Sequence, residues 1–335
     1  MTPLNRRQVL AAGCWAAAAG ALSGCSRALP SGSLRVVMTA AASGLAVHEI
    51  AQSQGFFREF RISPEVLVVA DGGKCVAALV SEAAEICIWS GFNQVIPAIG
   101  QGAKLKILAG ALNLATLAMY SSRPDVHNVA DLRGKVIGIG ATGAVVDQMT
   151  VLLLEKKGLT ADSVRFRNVG SNDDILKAVI AGTVDGGLGD VDVMGQQQQL
   201  GIHALQDGML WKEIPEYTNQ ASYASGAAIR AERETLVRVL AAYAKAYRYV
   251  SGPDSRDAYV RAWQKVSGSS DPRKPLAEWN WIQQYHPYDL GLVLTDRQID
   301  FVQRVNVKFG VQRRILPVAQ ISDMSLATAA LRRLA

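Results

Sequence analysis

Residues 34–221 read as strand–helix–strand–helix–strand twice over, and this doubled alternation constrains the fold more than any other feature. The runs LRVVMTA (34–40), EVLVVA (65–70), ICIW (86–89) and LKILAGAL (105–112) are apolar almost throughout. A strand with one wet face alternates apolar and polar residues; a continuous run marks a strand covered on both faces. Between them, GLAVHEIAQSQGFF, KCVAALVSEAAE and NQVIPAIGQG have helical spacing, and Gly55 stops the first. The pattern restarts with KVIGIG (135–140), GAVVDQMTVLLLEKKG, VRFRNV (164–169), NDDILKAVIAG and DGGLGD (185–190), and VDVMGQQQQLG opens a further helix. The expected fold class is α/β: two Rossmann-like lobes with mostly parallel sheets covered by helices. From Ala231 onward the chain is a series of amphipathic helices, broken at Gly252-Pro253, Ser267-Gly268-Ser269-Ser270 and Pro272. Such a tail cannot bury its apolar faces alone and must pack back on an α/β unit.

The first 24 residues belong to a different logic. MTPLNRRQVLAAGCWAAAAGALSGC has a basic start, an uncharged stretch and a small-residue end, the three parts of an export signal. The stretch is short and alanine-rich for a membrane span, which needs roughly 20 apolar residues. Leu22-Ser23-Gly24-Cys25 resembles a bacterial lipobox, with Cys25 lipidated as the first mature residue. Asn5-Arg6-Arg7-Gln8-Val9-Leu10 resembles a twin-arginine signal, and a Sec signal cut near Ala28 is the alternative. The expected location is the periplasm or cell envelope, with a lipid anchor at Cys25.

The chain has 335 residues and a formal net charge of +6. Two of its arginines lie in the leader, and the rest of the excess is spread without a basic run. That argues for solubility and against nucleic-acid binding. Outside the leader and lipobox only Cys75 and Cys87 remain. They allow either a disulfide in an exported protein or two small buried residues. Their spacing is no metal motif, and no metal or other cofactor is expected. The histidines are scattered, the carboxylates show no local pairing, and no nucleophile elbow, Walker loop or zinc motif is present. The chain is not expected to be an enzyme.

GIGATG, Gly138–Gly143, is literally G-x-G-x-x-G between a strand and a helix, the context of a dinucleotide site. The acid expected at the end of the next strand is missing, since Val169-Gly170-Ser171-Asn172 stand there. An exported dinucleotide-dependent oxidoreductase is therefore the alternative reading. Either way, free backbone N–H groups near Thr142–Val145 favour a polar or anionic group.

LRVVMTAAASGLAVHEIAQSQGFFRE, with its Gly55-Phe56-Phe57 turn, resembles the opening of bacterial solute-binding proteins for nitrate, taurine and aliphatic sulfonates. VAALVSEAAEICIWS is similar to their A-L-x-x-G-x-x-D-I segment, with Ala84 and Glu85 near the usual Gly and Asp. AIGQGAKLKILAG and ILKAVIAGTVDGGL also match family segments. NVADLRGKVIGIGATGAVVDQMTVLLLEKKGLTADSVRFRNVG is the most specific stretch. The resemblance implies a type II periplasmic-binding-protein fold. Lobe one would be 34–118 plus 222–335, and lobe two 119–221. The hinge strands would be LAMYSS (117–122) and SYASGAAIR (222–230), with the C-terminal helices on lobe one. It implies a monomeric high-affinity receptor that carries a small polar or anionic ligand to an ABC permease and its ATPase. Pyrimidine-precursor-binding relatives share the fold and are a further alternative.

Ligand contacts are expected where strand ends meet the cleft. Lobe one nominates Thr39, Ala40, Ser43, Gly73, Lys74, Trp89, Ser90, Gly91 and Asn113. Lobe two nominates Thr142, Gly143, Ala144, Asn172, Gly189 and Asp190. Trp89 reads equally as a ligand-stacking ring or a core aromatic, and Lys74 as an anion partner or a solvated lysine.

Overall fold

The computed structural model describes residues 32–140 and 144–334. The leader, Cys25, Thr142 and Gly143 lie outside the described residues. Ten strands form two five-stranded sheets. The first holds β1 (Ser33–Thr39), β2 (Ser63–Val69), β3 (Ile86–Ser90), β4 (Leu105–Leu112) and β10 (Gln220–Ser225), in the order β2-β1-β3-β10-β4. The second holds β5 (Leu117–Ser121), β6 (Val136–Ile139), β7 (Arg165–Asn168), β8 (Gly186–Asp190) and β9 (His203–Met209), in the order β7-β6-β8-β5-β9.

The two sheets have the same plan. In each, four strands run one way and a fifth runs against them. β10 pairs antiparallel with both β3 and β4, and β5 pairs antiparallel with both β8 and β9. The sheets are therefore mixed, and the reversed strand is the one by which the chain arrives from the other lobe. Residues 117–121 and 220–225 are thus full sheet members, and the passages between lobes are the short stretches 113–116 and 210–219. The second passage meets the entry to the first where Asn219 N donates to Leu112 O at 3.0 Å, and the first is tied to the end of β8 by Val191 N donating to Thr116 O at 2.7 Å.

Local chemistry repeats as well. Glu85, just before β3, accepts Arg35 N at 2.7 Å and pairs with the Arg35 guanidinium, which raises the Arg35 pKa further. Asp185, just before β8, accepts Val136 N at 2.7 Å and pairs with Arg123 at 3.1 Å. Each carboxylate ties the strand it precedes to its parallel neighbour. Glu85, read as a displaced family acid, therefore has a structural task.

Helix α1 (Ala42–Ser53) follows β1 and ends at Gly55, whose φ of 76° suits glycine. Helix α2 (Gly72–Val80) is capped by Asp71, which accepts Lys74 N at 2.9 Å. Helix α3 (Val145–Lys156) and helix α4 (Asn172–Ile180) belong to the second lobe. The tail comprises α5 (Arg233–Val250), α6 (Arg256–Ser267), α7 (Arg273–Tyr285), α8 (Asp296–Lys308) and α9 (Ser325–Arg332). Helices α5 and α6 pack on α1, where Tyr243, Tyr247 and Tyr259 are fully buried. The tail does more than cover lobe one. Helix α7 lies along residues 191–196 of lobe two, so closely that a Cβ on Gly195 would stand 2.4 Å from Arg273 O. Helix α8 puts Val305 into the lobe-two core, with Phe301 and the following Phe309 packed against it. Cys75 and Cys87 are buried free thiols set against each other; their hydrogen bond lowers Cys75, and burial raises Cys87.

Candidate functional site

The cleft between the lobes is bounded by the carboxyl ends of β1, β3, β6 and β8. At the end of β3 the backbone turns sharply: Trp89 has φ 59°, a left-handed conformation costly for a bulky residue. That turn lays the indole across the start of α1. The ring is 5.9 Å from Tyr247 and 5.5 Å from Tyr288, which stack on each other at 5.3 Å and 9°. Trp89 is only 3% exposed. It packs among these rings.

The other nominated residues fall into three groups. Thr39 ends β1, Ala40 and Ser43 follow it, all three are half-buried or exposed, and Gly91 faces lobe two. A Cβ on Gly91 would lie 3.7 Å from Val145 Cγ2, so the lobes meet here, at the start of α3 next to Ala144. Ser90 is buried under α2, where a Cβ on Gly72 would come within 3.0 Å of its Oγ. Gly73 and Lys74 are exposed on the first turn of α2, whose Lys74 N–H already donates to Asp71. Asn113 lies in the first passage and accepts from Gln298 at 3.2 Å. Asn172 is exposed at the head of α4. Gly189 is buried against the Tyr120 ring.

Asp190, at the end of β8, is the nominee with the most perturbed chemistry. Its side chain is exposed to solvent. Thr116 donates to it at 3.1 Å. Burial, then the neighbouring Asp192, push its carboxyl up to about 7. Asp192 is raised by burial and paired with Lys274 of α7 at 3.4 Å. Glu278, one turn further along α7, is pushed up to about 8 by burial and then by Asp192. Trp263 Nε1 donates to it at 3.1 Å. Asp190 alone of these carboxyls is nominated by the sequence. Glu278 sits in a helix whose sequence reads as ordinary amphipathic tail.

Gly138, which opens the glycine-rich stretch, has a packing role. A Cβ on Gly138 would meet Val184, Ile175 and Val169 at 3.2–3.6 Å, so this glycine lets α4 approach the sheet. Among the described residues no cluster of metal-ligating side chains is present. A separate cavity of about 390 Å³, lined by Arg233, Glu234, Arg332 and Arg333 among others, lies on the outer face of lobe one, away from this cleft.

Two lobes of equal topology, joined by paired passages with strand ends facing a shared cleft, define the periplasmic-binding-protein fold. Solved structures agree. The aliphatic-sulphonate-binding protein SsuA from Escherichia coli matches with a TM-score of 0.72 at 15% identity, over 88% of this chain and 92% of that one. A Bordetella bronchiseptica RB50 protein matches with a TM-score of 0.72 at 18% identity, over 90% and 98%. The nitrate-binding protein NrtA from Synechocystis PCC 6803 matches with a TM-score of 0.69 at 14% identity, over 90% and 89%. No curated protein matches in sequence. The NMT1/THI5-like family matches residues 46–255, more than half of the chain, and the chain belongs to that family.

Proposed function

We propose that the protein is a solute receptor. It captures a small polar organic molecule between lobe one (34–118 plus 222–335) and lobe two (119–221), and presents it to an ABC permease and its ATPase. The observation that carries this reading is the pair of adjacent passages, 113–116 and 210–219, beneath a cleft edged by both sheets' strand ends. That arrangement lets one ligand touch both lobes and so favour the closed state. SsuA and NrtA, which share the fold, are periplasmic binding proteins, and this supports the reading. The chain acts by binding, without covalent chemistry, as a monomer in the cell envelope held through lipidated Cys25. Among the described residues no helix is long and apolar enough to cross a membrane.

Small-angle scattering and thermal unfolding across a panel of small solutes test this. A true ligand should contract the particle and raise the melting temperature; at 100 times Kd the gain is about 2.7 kcal/mol. Saturable binding of NAD, with no response to any small solute, would instead support the oxidoreductase reading.

A further inference from the structure

We infer that the outer face of lobe one docks on an anionic phospholipid surface, with lipid phosphates on the guanidinium groups of Arg233, Arg332 and Arg333. The inference goes beyond the cleft: it rests on the envelope location proposed above and not on the identity of the solute. The cavity of about 390 Å³ between α5 and α9 carries it. Its lining is of two kinds. Val237 and Ala329 are apolar, and Arg233, Glu234, Arg332 and Arg333 are charged. Guanidinium groups match phosphate oxygens two at a time. An apolar groove edged by them fits an amphiphile with a negative head. A soluble phosphate would leave the apolar part of the lining unused.

The acids within reach are already engaged. Glu234 holds Arg333 at 2.6 Å, Asp323 holds Arg233 at 3.4 Å, and Glu232 accepts from the Thr235 hydroxyl at 3.1 Å. Arg332 is exposed and has no ion-pair partner among the described residues. Helix α5 begins at this cavity, so the positive end of its dipole adds to the guanidinium field.

A second observation is independent of the cavity. A series of contacts joins it to the point where the chain enters β1. Arg238 stands 3.8 Å from Glu234 and donates to Arg61 O at 3.0 Å. Arg61 O lies against Gly32, where a Cβ would be 2.6 Å from it. Cys25, the proposed anchor, precedes Gly32 by seven residues, a reach of at most about 25 Å. So short a tether holds this face at high effective concentration over the lipid. The arginines alone bind weakly, and they add the orientation that an acyl anchor lacks. Strand β1 runs from Ser33 at this face to Thr39 at the cleft, so a lobe seated here keeps the cleft off the lipid.

Vesicle flotation tests this with the chain from residue 26 onward, which keeps every described residue and carries no acyl group. At low ionic strength it should bind vesicles of equal phosphatidylglycerol and phosphatidylcholine, but not phosphatidylcholine alone, and salt should release it. Arg332→Gln with Arg333→Gln should weaken binding tenfold or more. The melting temperature should barely change, because these side chains are exposed. Arg165→Gln with Arg167→Gln, the same charge loss on edge strand β7 of lobe two, should leave binding unchanged. Equal weakening by the two pairs overturns the assignment of this face, and failure to bind the charged vesicles overturns the proposal. Saturable binding of glycerol 3-phosphate without vesicle binding also overturns it, in favour of a soluble anion. All three outcomes leave the receptor reading to the solute panel above, which reads the cleft.

Discussion

Gly44 and Trp89 share one volume: a Cβ on residue 44 would lie 2.4 Å from Cδ1 of the indole. The indole cannot retreat, because Tyr247 and Tyr288 hold it from the other side. In a free helix Gly→Ala gains up to about 1 kcal/mol. Here overpacking costs about 1–3 kcal/mol and outweighs it. Gly44→Ala should therefore lower the melting temperature; a rise would show that the indole moves freely.

The Trp89 backbone allows a paired comparison. Truncation to alanine should cost about 3–5 kcal/mol as a cavity opens. Glycine removes the same ring and also relieves the left-handed backbone, worth about 1–2 kcal/mol. Trp89→Gly should then be at least as stable as Trp89→Ala in urea. At an ordinary strand position the order would be reversed.

Helix α8 fastens lobe two to lobe one through a buried amide. Asn306 donates to Asn93 O at 2.7 Å and accepts from Gln148 at 3.2 Å. Asn306→Ala strands groups on both lobes, at about 1–3 kcal/mol each. The variant should unfold at lower denaturant, and its scattering radius should grow as the lobes part. An unchanged radius would mean that the lobes are held elsewhere.

The perturbed carboxyls predict a pH dependence. Asp190 is held at about 7 and Glu278 at about 8, above their ordinary values. The folded chain therefore keeps protons that the unfolded chain has released. Stability from these groups is full below the ordinary carboxyl range and is lost as pH rises through about 7 and 8. Buried Glu278 contributes a slope of at most about 1.4 kcal/mol per pH unit, and Asp190, exposed and screened by solvent, contributes less. Asp173, Asp192 and Lys274 share the field. Glu278→Gln should flatten the decline between about pH 5 and pH 8. Equal slopes in variant and wild type would remove Glu278 as its source.

Lipidation has a direct test. Cys25→Ser should move the protein from the membrane fraction to the soluble one, since buried acyl chains contribute about 0.8 kcal/mol per CH₂. An unmodified mature terminus beyond Cys25, found by mass spectrometry, would count decisively against the anchor.

The buried strands were legible because burial on both faces leaves an apolar run; LKILAGAL is β4 residue for residue. Strand β9, HALQDGM, has no such run, because it is a sheet edge that mixes buried and exposed residues. SYASGAAIR reads as one segment, but Ser225 accepts Ala228 N at 3.1 Å and caps a helix midway through it. The perturbed carboxyls escaped because carboxylates were compared along the chain. Asp190 and Glu278 are brought together only when α7 packs on residues 191–196. The Trp89 stack is hidden for the same reason, with both of its partner rings in the helical tail.

The placement of β10 between β3 and β4 sets an order of assembly. Lobe two draws all five of its strands from one unbroken stretch, 117–209, so its sheet can pair early in synthesis. Lobe one cannot close its sheet then, because β4 waits for a strand made more than a hundred residues later. Until residues 220–225 arrive, β3 and β4 expose bare edges, the kind that pair with other chains. The half of the molecule synthesised first is thus the half completed last. The interval between β4 and β10 is when a nascent copy is most exposed to aggregation.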